Sequence, residues 1–482
     1  MNSFSNTKGW LKISSTNKKA NLYIVGIVMA VLTFWMFAQS MINILPAMTA
    51  DMDVSLGTLN ISTSLTSLFS GLFIVVAGGL SDRSGRKKMT FFGLGLSILG
   101  SFLVIIAQGP SLLIIGRAIQ GISAAFIMPA TIALIKTAFN ESDRQRALSY
   151  WSFGSWGGGG VATLAGGLVA TYMDWRWIFI FSIIVALISM WILRDIEESK
   201  VNDYKKEPFD YIGFAIFIFL LLGVNIIITQ GQEFGWFSPI IIGLMIVTFI
   251  LAVIFFMYEK QRKFQFIDFD LFKSRPYTGA VTSNFLQNGI AATIVVANTY
   301  VQIARGFSAF ETGLLTIGNI VALLIMIRVG ERMLQKIGAR KPMLWAIFIA
   351  AIGMSLAAMT FLPDILYVIV VFIGFLIAGI GIGMYATPSL DTSVVHISND
   401  KVGVASGIYK MASSLGYSFG LAISTAVYGT VEAITSNIHL AASGGMFTAL
   451  AFGAVSIWIV AKTMSPEEGL KTKPILATSK IN

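Results

Sequence analysis

The chain has 482 residues, of which 55% are hydrophobic and only 12% charged, with a mean hydropathy of +0.77. Soluble domains carry about 25% charged residues, so a soluble enzyme and a disordered chain are both excluded and lipid is the expected solvent. The net charge of +10 does not point to nucleic acid, because the basic residues lie in short loops between apolar runs. The chain has no cysteine, which removes disulfides, thiolate nucleophiles and Cys-ligated metals, and His396 and His439 are too few for a histidine metal site. No cofactor and no metal are expected.

The N-terminal stretch Met1 to Ala20 is polar, with Lys8, Lys12, Lys18 and Lys19. The apolar run that follows, from Leu22, is too long for a signal-peptide core of about 7–15 residues and reads as a retained first span. Along the chain, fourteen apolar runs suggest spans at 22–46, 58–80, 89–108, 111–135, 147–171, 177–193, 211–229, 239–258, 278–302, 312–328, 343–362, 365–388, 402–428 and 445–462. Only helices or closed barrels satisfy a backbone in lipid, and alternating ten-residue strand patterns are missing, so the expected class is all-α. With the N-terminus inside, thirty Lys and Arg fall in inner segments, against Arg176 and Arg305 in outer loops. That bias places both termini in the cytoplasm. Trp10, Trp175, Trp177 and Trp236 fall near the interfaces and read as belt anchors.

The sequence repeats itself. Asp82-Arg83-Ser84-Gly85-Arg86-Lys87 after span 2 is echoed by Gln335-Lys336-Ile337-Gly338-Ala339-Arg340-Lys341 after span 10. Gly121 with Pro129 is echoed by Gly379 to Gly383 with Pro388. The expected organisation is a six-helix bundle over 1–200, a two-helix insertion over 201–270, a second six-helix bundle over 271–465 and a tail over 466–482. Parallel six-span repeats are a common plan for secondary transporters, with the substrate between the halves.

Gly78-Gly79-Leu80-Ser81-Asp82-Arg83-Ser84-Gly85-Arg86-Lys87 resembles the inner-loop signature of the major facilitator superfamily, and Arg117-Ala118-Ile119-Gln120-Gly121 is similar to its second motif. The fourteen-span layout resembles the drug:proton antiporter branch. Arg144 to Trp151, Ala386-Thr387-Pro388-Ser389 with Asp391, and Ser406 to Met411 look closest to the Nor-type quinolone and multidrug exporters. The resemblance implies a bacterial multi-pass plasma-membrane transporter that exports amphiphilic drugs in exchange for protons. The expected partners are drugs, protons and the bilayer, not nucleic acid, and the expected unit is a monomer. Two other functions fit the residues: proton-coupled transport of a native metabolite or osmolyte, and a non-transporting sensor. No phosphate-binding loop is present, so an ion gradient is the remaining energy source.

Candidate residues follow. Gly79, Asp82, Arg83, Gly85 and Arg86, with Arg144 and Arg146, form a candidate conformational latch, in which Asp82 caps a helix or pairs with one of the arginines. Arg117 sits within span 4, where a charge is costly, and is a candidate for proton coupling, its charge alternating between partners as a proton comes and goes; a static arginine hydrogen-bonded to Gln120 and backbone carbonyls is the structural alternative. Asp391 is the clearest acid inside a membrane segment and the candidate proton carrier; Lys410 is its possible partner, and a static Asp391–Lys410 pair is the structural alternative. Phe34, Trp35, Gln39, Asn43, Phe285, Gln287, Asn288, Met384, Tyr385 and Tyr409 are candidate drug contacts, combining aromatic, sulfur and amide surfaces. Gly158, Gly166 and Gly167 suit close helix packing in span 5. The resemblance departs in two places: the antiporter Gly-Pro is replaced by Ala162-Thr163, and span 1 has no acid in the stretch Ala38 to Pro46.

Overall fold

The computed structural model describes residues 18–39, 48, 51–52, 56–200, 210–262, 269–307 and 309–466. Among these, every regular element is helical: α1 (Lys18–Gln39), α2 (Leu56–Ser84), α3 (Arg86–Ile105), α4 (Pro110–Ala138), α5 (Glu141–Ser152), a π-turn (Phe153–Gly157), α6 (Gly158–Tyr172) and α7 (Trp177–Leu193). Next come α8 (Tyr211–Phe234), α9 (Pro239–Lys260), a 3₁₀ turn (Phe269–Lys273), α10 (Arg275–Arg305), α11 (Ala309–Ile337), α12 (Arg340–Ala357), α13 (Asp364–Val395), α14 (Val402–Thr435) and α15 (Ile438–Thr463). Because the π-turn joins α5 to α6, the helices make fourteen rods.

Ten of the described helices are long and apolar enough to cross a membrane. Three of the other four rods fall short for local reasons. α7 has only 17 residues, the fifth rod is interrupted by its π-turn, and α14 carries a dense run of Ser and Gly; α8 is apolar from Ile212 to Val224 and again at Ile226 and Ile227. α2 runs to Ser84, beyond the end of the run at 80, so Asp82 lies on the helix rather than in a loop.

Packing falls into two groups. α2 and α3 both pack on α4, while α1 packs on α7. Likewise α11 and α12 pack on α13, and α14 and α15 pack on α10. The groups meet where α14 lies against α2 and α4, and where α5 lies against α11 and α13. α8 reaches α2 and α14, and α9 packs on α8. In α5–α6, Gly158 lies against Trp35 and Leu32, Gly166 is buried and Gly167 follows it on α6.

At the end opposite the basic loops, Asp51 receives Arg176 Nη2 at 2.7 Å and Trp175 Nε1 at 3.3 Å, and the Arg176 guanidinium lies 4.3 Å from the Trp175 ring centroid. Trp175 is therefore packed, at 3% exposure, rather than presented to an interface. The Arg176 hydrogen bond holds the Asp51 carboxyl below its ordinary range. A lowered folded value means stability that is present above the unfolded carboxylate value and lost as pH falls through the folded one. Asp51→Asn should therefore lower the melting temperature slightly at neutral pH, since exposed pairs contribute ~0–1 kcal/mol. The difference from wild type should shrink as pH falls below the ordinary carboxylate range, and a gap that does not shrink would contradict this assignment.

Candidate functional site

The two helix groups are joined at the basic end around the short 396–401 turn between α13 and α14. Gly85, at φ +113°, is the single non-helical residue between α2 and α3, a conformation that costs glycine little. It returns the chain so that Arg86 faces Asp82. Asp82 Oδ1 accepts from Arg86 Nη2 at 2.8 Å, and Oδ2 accepts from the Gly403 and Val404 amides at 2.8 and 3.2 Å. Those amides belong to the first turn of α14, where N–H groups lack helical acceptors, so the carboxylate caps a positive helix end. Arg86 also donates to the Asn399 carbonyl and, at 3.2 Å, to Ser199 Oγ.

This approach depends on missing side chains. A Cβ on Gly78 would strike the Gly403 carbonyl, and one on Gly403 would strike Gly78. Gly79 is less crowded, with Val404 in ordinary contact range. Gly403→Val should hold α14 off α2 and cost about 1–3 kcal/mol in the closed arrangement. Disulfide trapping between cysteines placed at Gly79 and Val404, whose side-chain positions face each other, checks this on a chain with no native cysteine; unchanged trapping would contradict it.

The segment after α7 belts the same turn. Glu198 accepts from the Lys87 and Lys88 amides at 3.0 and 2.9 Å, capping α3, and Ser199 Oγ lies 2.9 Å from Thr137 Oγ1.

Arg144 and Arg146 do not reach Asp82. Arg144 Nε instead donates to Asp391 Oδ1 at 3.0 Å, and Gln145 Nε2 lies 3.4 Å from Oδ2. Asp391 is 1% exposed, so α5 and α13 are joined by a buried ion pair. Arg146 lies 5.8 Å from the Tyr150 ring centroid. Lys410 does not pair with Asp391: its ammonium donates to Ser155 Oγ in the π-turn at 3.3 Å and sits 5.3 Å from the Trp151 ring centroid. The Asp391–Lys410 pair is thus replaced by a pair across the two groups, because α5 packs on α13 and Lys410 points to the π-turn. Arg83 ends α2 and is half-buried.

Arg117 is fully buried, and its partners are neutral: Nη1 donates to the Phe37 carbonyl at 2.7 Å and Gln120 Oε1 at 2.8 Å, and Nε to the Ser62 carbonyl at 3.4 Å. Its Nη2 has no partner among the described residues.

The candidate drug contacts do not line an open surface in this arrangement. Met384, Tyr385, Tyr409 and Gln287 are almost wholly excluded from solvent, and Phe34, Trp35 and Phe285 are half-buried. Tyr385 OH meets Ser283 Oγ at 2.6 Å, Tyr409 OH donates to Ser389 Oγ at 3.1 Å, and Asn288 bonds Asn284. Among the described residues, Gln287 has neither amide atom paired. Nothing is described of the Gln39 side chain, and Asn43 lies outside the described residues.

Glu331 and Lys136 are among the charged residues that escaped the sequence reading. Glu331 on α11 is 4% exposed and ion-pairs with Arg328. Lys136, near the end of α4, reaches backbone carbonyls of the α13 end. Both lie in segments rich in charged residues, and counting charges gave no signal that they turn inward.

The comparisons agree with this architecture. The chain matches the family described as Major Facilitator Superfamily over residues 24–421 and again over 278–475. It is 49% identical over 440 residues to the quinolone resistance protein NorB of Staphylococcus aureus strain MSSA476, covering 91% of this chain and 95% of that protein. The same identity and coverage hold for NorB of strain MRSA252. The proton:xylose symporter XylE shares the fold at 15% identity, with a TM-score of 0.65 over 94% of this chain and 97% of that one. The human organic anion transporter MFSD10 shares it at 13% identity, with a TM-score of 0.64 over 93% of this chain and 100% of that one. The chain therefore belongs to the Major Facilitator Superfamily and is a multi-pass plasma-membrane transporter rather than an enzyme.

Proposed function

We propose that this transporter exports amphiphilic drugs, quinolones and cationic dyes among them, in exchange for protons. The substrate class rests on the similarity to NorB. In this reading the halves 1–200 and 271–465 rock about a central cavity, 201–270 is the inserted hairpin, and the basic end with both termini faces the cytoplasm. The observation that carries the coupling is the buried Arg144–Asp391 pair, which bridges the halves beside the Asp82 cap.

Neutralising one member of a buried pair leaves the other charge uncompensated, at a cost of about 3–5 kcal/mol. A proton reaching Asp391 from the outer side thus weakens the cytoplasmic closure and favours the inward-open state. There Asp391 releases the proton and drug enters. The restored carboxylate recaptures Arg144, closes the basic end and exposes drug to the exterior. Proton and drug act by differential affinity for the two states. Lys410 supplies positive potential between the halves, Arg117 supplies it within the first helix group, and Gln287, Asn288, Phe34, Trp35 and Phe285 meet the drug once the halves part.

The test uses purified protein in proteoliposomes with an imposed pH gradient, a quinolone and a monovalent cationic dye. Drug movement opposite to the proton gradient, abolished by a protonophore, is the expected result. Movement of neither compound, or movement indifferent to the gradient, would contradict the proposal and return attention to a native metabolite.

A further inference from the structure

We infer that Lys136 is a second jaw of the closure at the basic end, acting as a positioning residue that holds α13 through its C-terminal carbonyls while Asp82 holds α14 through its N-terminal amides. The inference rests on reading this end as the gate. Lys136 lies in the last turn of α4, on the opposite helix group from α13. Its ammonium donates to the carbonyls of Val394, Val395 and Ile397, the last two at 3.1 and 2.7 Å. An ammonium has three N–H donors, enough to reach all three carbonyls at this one helix end.

The chemistry of that end explains the choice of residue. α13 stops at Val395, and the carbonyls of a final turn have no helical donor and carry the negative end of the helix dipole. A few residues later α14 begins with unsatisfied amides and the positive end of its dipole. The 396–401 turn is therefore a two-signed handle. The first helix group grips each sign with its complement: Lys136 on the carbonyl side, Asp82 on the amide side, with Arg86 donating to the Asn399 carbonyl between them. Two grips at the two ends of one turn resist its rotation as well as its withdrawal, which a single cap does not. Parting the halves must release both, so Lys136 shifts the equilibrium between states without touching drug or proton.

The test reads the gate directly, without drug or gradient, so a failure of drug transport leaves it interpretable. The native chain has no cysteine. Ser406→Cys places a single thiol on α14, at a fully buried position whose hydroxyl meets the Pro129 carbonyl of α4. Labelling by a membrane-impermeant maleimide from the basic side reports separation of the groups. In this background Lys136→Gln should label about tenfold faster, while Lys136→Arg, which keeps the charge and several donors, should label near the parent rate. An unchanged rate in Lys136→Gln overturns the inference, and so does equal acceleration by Gln and Arg, since charge would then not be the holding element. If Lys136→Gln fails to assemble, amine labelling of the unmodified protein decides the same point. Lys136 should react about tenfold more slowly than exposed Lys88, and equal rates overturn the inference.

Discussion

Asp391→Asn is expected to uncouple export from the proton gradient and to lower pH-driven drug transport by at least about 100-fold, the equivalent of ~3 kcal/mol. The substitution keeps the shape of the side chain and removes the charge that faces Arg144 across the two helix groups. Arg144 is then left buried without its counter-ion, so the basic end should also close less completely. The two consequences are separable. In the double variant Arg144→Gln with Asp391→Asn the buried charge is gone, so closure should recover in part while proton coupling stays absent. Transport by the single variant with unchanged pH dependence would remove Asp391 as the carrier and direct the search to Glu331, another buried acid.

Asp82→Ala is expected to have the next largest effect. It removes the counter-ion of Arg86 and the cap of α14 together. Losing a helix cap costs about 1 kcal/mol, and leaving a buried charge unpaired costs about 3–5 kcal/mol. The basic end should therefore stand open, with thiol labelling at Ser406→Cys raised about 100-fold or more and drug export lost although drug still binds. Asp82→Glu should not rescue, because the added methylene has no room where α2 meets Gly403. Slow labelling in Asp82→Ala would contradict the latch.

The helices were legible because lipid forces long apolar runs, and the two groups because the glycine-rich signatures recur. The Asp82–Arg86 pair was also near the surface of the sequence: the residues are four apart, and one glycine turn brings them together. The partner of Asp391 was not legible. Arg144 is 247 positions away, and nothing local distinguishes it from Arg146 or Lys410 as the cation that arrives. Lys410 illustrates the converse: proximity on the next helix suggested a pair, but helix rotation points its ammonium at Ser155 and the Trp151 ring instead. Lys136 and Glu331 were hidden because a count of loop charges does not tell which of them turn inward. The aromatic and amide residues of α10, α13 and α14 follow composition only as far as the interior. Their hydrogen bonds to one another in this closed arrangement depend on packing that a list of side chains does not encode.

The central claim is that a drug gradient and a proton gradient are exchanged by one buried carboxylate. It is tested most directly by recording lumenal pH in proteoliposomes that hold the purified protein, with a drug gradient imposed and no initial pH difference. Wild-type protein should move protons against the drug, shifting lumenal pH as drug is transported, and Asp391→Asn should give no shift. A wild-type protein that transports the drug while lumenal pH stays level, or an Asp391→Asn protein that shifts pH as the wild type does, would contradict the account.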